Sequence, residues 1–274
     1  TSHRPSRMPA GRAFLLTAAV FVWAVAAQPA WAVITVDGAL ADWGVTPGPF
    51  SAGLSQWTPS AGISFIQEDQ NPALSFLGPG FGGQLYDVEA IYFTQQSNMA
   101  FFAVVSGFPL AGAQGHMPGD FAIDFGSNGS YDFGVKTTGT HLLYKNPTWN
   151  VPTVWPVSAP FMMTSGTSLG AVQFGYQPSL YASNAHYAWE IGIPTSLFGS
   201  SWTASGTLDM TLHWTMACGN DELDLRVRQT IVPPPPPSPP AIPEPSGLLL
   251  FGLGLLGPAA AVRPSRLLRL RRSA

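Results

Sequence analysis

Charge is scarce in this chain of 274 residues: Asp, Glu, Lys and Arg make up 10% of it, against 29 glycines and 27 prolines. That composition excludes an ordinary charged, helix-rich cytosolic protein. The lone cysteine, Cys218, excludes an intramolecular disulfide framework. Local catalytic signatures are missing as well. The chain has no glycine-rich phosphate loop and no EF-hand loop, and His116, His141 and His186 lack zinc-ligand spacing. His213 lies five residues before Cys218, but a Cys-His hydrolase needs the two side chains to meet and a third group to orient the imidazole. Basic charge is absent from the middle. Eight of the 12 basic residues lie before residue 33 or after residue 262. Between Val33 and Ile231, 14 acidic residues face only Lys136, Lys145, Arg226 and Arg228, a formal charge of -10. Phosphate binding needs a concentrated basic face, so a nucleic-acid partner is excluded.

The basic ends have their own logic. Arg12 precedes an apolar run at 13–27, and Ala30-Trp31-Ala32 closes it in the form of a secretory cleavage site before Val33. This predicts a signal peptide over 8–32 starting at Met8, with 1–7 as upstream residues. At the far end, 232–241 is dominated by proline and predicts a stiff, extended spacer that closes a domain at 33–231. Pro243-Glu244-Pro245 then leads into an apolar run at 247–262, interrupted by Pro258, and into Arg263, Arg266, Arg269, Arg271 and Arg272. The run is short for a permanent span but predicts a transmembrane helix in transient contact with the inner membrane, its arginines on the cytoplasmic side.

The order Pro-Glu-Pro, short hydrophobic helix, arginine cluster resembles the sorting signal of PEP-CTERM proteins over 242–272. That resemblance implies recognition of Pro243, Glu244 and Pro245 by an exosortase-type transpeptidase in a Gram-negative bacterium, removal of the tail, and passage to the cell surface or an extracellular matrix. It says nothing of what the passenger does.

The passenger reads as all-β. Short alternating runs at 87–94, 99–105, 121–125, 131–136, 186–193, 208–216 and 222–227 are separated by Gly, Pro, Ser and Asn clusters. In the sixth, Leu208, Met210, Leu212, Trp214 and Met216 share one face while Asp209, Thr211, His213 and Thr215 share the other. The pattern predicts an antiparallel β-sandwich, jelly-roll-like, with a hairpin turn at 126–129 and a signal helix and a sorting helix at its flanks. Trp189 and Trp214 fall on core faces. Residues 147–160, with Trp149, Trp155 and four prolines, predict a rigid accessory loop, and the two indoles are possible glycan contacts.

The acids carry the chemical lead. Asp87 and Glu89 sit two apart, Asp120 and Asp124 flank one strand, and Asp132 opens the strand after the next turn. Like charges on one sheet face repel unless a hard cation accepts their oxygens, which makes these five a candidate calcium site; a solvated acidic face is the alternative. Glu190 is a further possible member. Asp37 with Asp42, or Asn220 with Asp221, Glu222 and Asp224, form a second acidic group.

The opening Val36-Asp37-Gly38, followed by Asp42-Trp43, resembles the start of DOMON-like, carbohydrate-binding sandwich modules. That resemblance implies structural calcium and favours Glu89 and Asp120. Two functions stay open: a non-enzymatic surface or biofilm-matrix protein, calcium-stabilised and associating with exopolysaccharide or with itself, or a secreted glycan hydrolase using paired carboxylates.

Overall fold

The computed structural model describes residues 32–47, 55–68, 78–177, 186–202 and 206–231. Among them the apolar alternation produces eleven strands. They are β1 (Ser64–Gln67), β2 (Val88–Gln96), β3 (Met99–Ser106), β4 (Phe121–Phe125), β5 (Phe133–Val135), β6 (Leu142–Asn150), β7 (Met162–Ala171), β8 (Gln173–Gln177), β9 (Tyr187–Pro194), β10 (Gly206–Thr215) and β11 (Glu222–Ile231). They pair into two sheets, ordered β1-β2-β3-β9-β8 and β11-β10-β4-β5-β6-β7. Every pairing is antiparallel.

The main core lies between the sheets. Phe93, Phe102, Trp189 and Ile191 point inward from one, and Phe121, Ile123, Leu212 and Trp214 from the other. Trp189 and Trp214 meet with ring centroids 4.9 Å apart. The apolar set of β10 is the inward one, as its alternation predicts.

A second core covers the outer face of the five-stranded sheet. Ile34, Leu40, Trp43, Val45 and Trp57 pack on Ala90, Tyr92, Phe101, Ala103, Val105 and Ala188. The sheet is thus buried on both faces, and so β2, β3 and β9 read as nearly continuous apolar runs rather than clean alternations. Glu190 of β9 projects into this second core and holds the covering segment, accepting N–H bonds from Asp37 (2.8 Å) and Gly38 (2.5 Å) and from the Trp43 indole. Gly38 has φ +86, and a Cβ on Gly175 of β8 would lie 2.6 Å from its amide nitrogen. Only glycine permits an approach this close.

The seven expected strands are present, and the 126–129 turn joins β4 to β5. β1, β6, β7 and β8 were not expected. β7 is rich in Ser, Thr and Gly, and β6 carries Asn146 at φ +48 beside Pro147, with register shifts between the two strands. Such irregularity erases the two-residue period. Part of the accessory loop is therefore strand: residues 147–150 belong to β6, and the loop proper begins at Val151 and contains a 3-10 turn at Pro156–Ser158.

The expected transmembrane helix is corrected. No helix among the described residues is long and apolar enough to cross a membrane. The 247–262 run on which that expectation rested lies outside the described residues, as do the signal segment, the spacer and Pro243, Glu244 and Pro245.

Candidate metal centre

Three acids meet where the two sheets adjoin. Glu68 follows β1, Asp87 ends a 3-10 turn at Gly83–Tyr86 just before β2, and Asp221 ends the turn between β10 and β11. One carboxylate oxygen from each lies within 4.8 Å of the others. Asp87 and Asp221 are fully buried, and Glu68 is half-buried. The arrangement has a backbone cause. Asp221 Oδ2 accepts Val88 N–H at 2.6 Å and Oδ1 accepts Glu222 N–H at 2.9 Å, while its carbonyl accepts the Thr215 hydroxyl at 2.6 Å. The turn of the six-stranded sheet is thereby stitched to the first residue of β2.

Electrostatics at the trio favour a proton or a cation. Burial raises the Asp221 pKa well above its ordinary 3.8, and the adjacent charge of Glu68 raises it further; the Val88 N–H works against both, and Asp87 adds to the rise. Ligand oxygens within 4.8 Å suit a shared hard cation, because calcium binds oxygens at about 2.3–2.6 Å and two oxygens on one ion are therefore at most about 5 Å apart. The cluster could coordinate a metal ion.

Of the five acids expected to converge, Asp87 alone joins the trio. The other four have separate partners. A register shift between Val88 and Ala90 breaks the expected shared side, and Glu89 turns into its own buried network. Its Oε1 lies 2.6 Å from His186 Nε2 and accepts from Gln84 Nε2 at 2.8 Å. The His186 ring packs edge-on against Trp57 with centroids 5.0 Å apart.

Asp120, Asp124 and Asp132 belong to the other sheet. Asp120 pairs with Lys136 at 2.8 Å and accepts Met163 N–H at 2.8 Å and Thr137 N–H at 3.3 Å. Burial raises its pKa despite these donors. Asp124 accepts the N–H groups of Asn128 (3.2 Å) and Gly129 (2.7 Å), and Asp132 accepts that of Phe125 at 3.0 Å. They hold the β4–β5 hairpin.

The trio joins one member from each acidic group marked in the sequence, Asp87 and Asp221, to Glu68, which sequence reasoning missed. Glu68 has no same-face acid near it along the chain, so only the antiparallel pairing of β1 with β2 brings it to Asp87. Trp149 and Trp155 are half-buried. A Cβ on Gly134 would lie 2.6 Å from the Trp149 ring, and one on Gly80 would lie 2.5 Å from Trp155 Nε1, so both indoles lie over glycine backbone. His213 is held at both nitrogens, 2.8 Å from Asp224 Oδ1 and 2.8 Å from the Pro160 carbonyl, and Cys218 is buried. Two surface hollows, of about 340 Å³ beside His141 and Tyr176 and about 530 Å³ beside Val36 and Phe174, are lined by none of these acids.

Fold and C-terminal motif together define a class: an exported, surface-directed protein with an antiparallel β-sandwich as its passenger. The model of the PEP-CTERM protein-sorting motif matches residues 241–266, so the chain carries that motif and is exported to the cell surface or extracellular space by the PEP-CTERM/exosortase system. No curated protein and no solved structure matches the chain. The resemblance of the passenger therefore stands as an all-β sandwich, without extending specifically to DOMON-like or carbohydrate-binding modules.

Proposed function

We propose that the protein is a non-enzymatic component of the cell surface or biofilm matrix, with a sandwich of residues 33–231 stabilised by calcium at Glu68, Asp87 and Asp221. The sorting motif at 241–266 carries this reading, because it directs the chain to a compartment where calcium is plentiful and a passenger needs no catalytic parts. In this reading residues 8–32 are removed on export, the transpeptidase acts near Pro243-Glu244-Pro245, and the host is Gram-negative. Exopolysaccharide or further copies of the chain are the partners. The trio supports the calcium assignment on two counts: it lies at the seam between the sheets, and its charge is −3 when every member is ionised. An ion there would replace mutual repulsion with attraction and tie β1, β2 and β11 together.

The test is thermal unfolding of the exported protein with chelator and with calcium. A ligand that binds only the native state raises the melting temperature with its concentration. Calcium is expected to raise it by several degrees, and Asp221→Asn to abolish that gain. An equal melting temperature with chelator and with excess calcium would remove calcium from the proposal. Magnesium acting as well as calcium would change the identity of the ion.

A further inference from the structure

From residue 34 onward, the large apolar side chains exposed among the described residues are six, and five of them gather at one end of the sandwich: Phe81, Met117, Val151, Val154 and Val157. Their backbones converge on a single turn. Gly80 N–H donates to the Asn220 carbonyl at 2.9 Å, Thr153 N–H to Ala217 at 2.8 Å and Trp155 N–H to Cys218 at 2.9 Å, while Ala217 N–H donates to the Met117 carbonyl at 2.9 Å. The five side chains are 48 to 71% exposed. Scattered single apolar residues need no explanation, but a gathered set marks a contact surface.

Charge narrows the partner. From residue 146 to residue 189 the sequence contains no Asp, Glu, Lys or Arg, and the loop bearing the three valines lies inside that stretch. In a domain with a formal charge of −10, two copies repel wherever acids face each other. Close to this turn Asp221 and Asp87 are buried, Glu68 and Glu222 are half-buried, and Asp224, exposed further along β11, pairs with His213. The apolar set consists of valines, a methionine and a phenylalanine, with few hydroxyl or amide groups to recognise a sugar, and so favours a protein surface. Direction matters too. β11 leaves this turn at Glu222 and runs ten residues to Ile231, about 30 Å away, so the chain leaves for its sorting signal from the opposite end.

We infer that this end is a homotypic docking surface, at which two copies of the protein meet tip to tip about a two-fold axis and bury the same apolar residues from each side. The sorting ends then point apart, which lets copies held on facing surfaces, or along a matrix, join. So few residues make a weak contact, strengthened by display of many copies together. The inference names the partner within the surface-protein reading and depends on that reading only for its setting.

Sedimentation velocity of the exported protein over concentrations up to about 1 mM, where a contact this small is expected to populate, tests it. Wild type is expected to shift from monomer to dimer, and the Val154→Lys, Val157→Lys double variant to remain monomeric with an unchanged melting temperature. Phe65→Lys, an exposed apolar site on β1, should dimerise like wild type. A wild type that stays monomeric throughout overturns the inference, and so does a dimer that survives the double substitution. Patch-dependent retardation of monomeric protein by alginate or dextran would assign this end to glycan and also overturn it. Failure of surface sorting, read separately by where the protein is found, would leave these outcomes unchanged.

Discussion

Glu190 shows what one residue contributes when burial and hydrogen bonding oppose each other. Burial raises its pKa from an ordinary 4.5 to about 7, while the donors Trp43, Gly38 and Asp37 favour the charged form and Asp42 opposes it. The folded state therefore holds a proton at pH values where the unfolded chain has lost it. Stability from this site is complete below about pH 4.5, declines as pH rises, and is gone above about pH 7. Denaturant midpoints of wild type are expected to fall across that window, with a smaller fall in Glu190→Gln. Glu190→Ala leaves buried N–H groups without an acceptor, and an unmade buried bond costs about 1–3 kcal/mol. A loss of about 3 kcal/mol is expected for that variant, measured by urea unfolding at pH 5.

At the scale of elements, Asp124 joins strand to turn. Its two backbone acceptances close the segment between β4 and β5. Asp124→Ala is expected to lower stability by about 1–3 kcal/mol with an unchanged urea slope, since the sandwich keeps its surface and loses only the hairpin's bonds. Calcium response should survive the substitution, because Asp124 lies apart from the trio. Elements also show where the sequence was legible. β10 announces itself by its two-residue period and the strands rich in Phe, Val and Ile by their nearly continuous apolar runs, whereas β7 is polar and bulged and carries no pattern to read. The acids at 87 and 89 were legible as acids but not as neighbours, because a register shift decides which way each one points.

At the scale of the whole molecule, the sorting motif makes its own prediction. Mass spectrometry of the exported protein should find the arginine tail gone, and replacement of Pro243, Glu244 and Pro245 by alanine should leave it attached to protein retained in the cell. A surface form that keeps Arg263 to Arg272 would count against processing at this motif. Charge is distributed on the same scale. The acids that looked like one ion-binding face are divided between a calcium candidate, a histidine partner, a lysine partner and hairpin bonds, and the uncharged stretch supplies the exposed end.

The sequence by itself determined the export route, the all-β class, the main core and the acidity of the passenger, because each follows from composition, local order or a two-residue period. Tertiary structure alone decided that the five-stranded sheet is covered on both faces, that Glu190 anchors that cover, and that Glu68, Asp87 and Asp221 meet. These three acids are separated by 19 and 134 positions along the chain. Their meeting depends on strand register and on which sheet each turn adjoins, and those are settled by long-range pairing and packing, which no local pattern encodes.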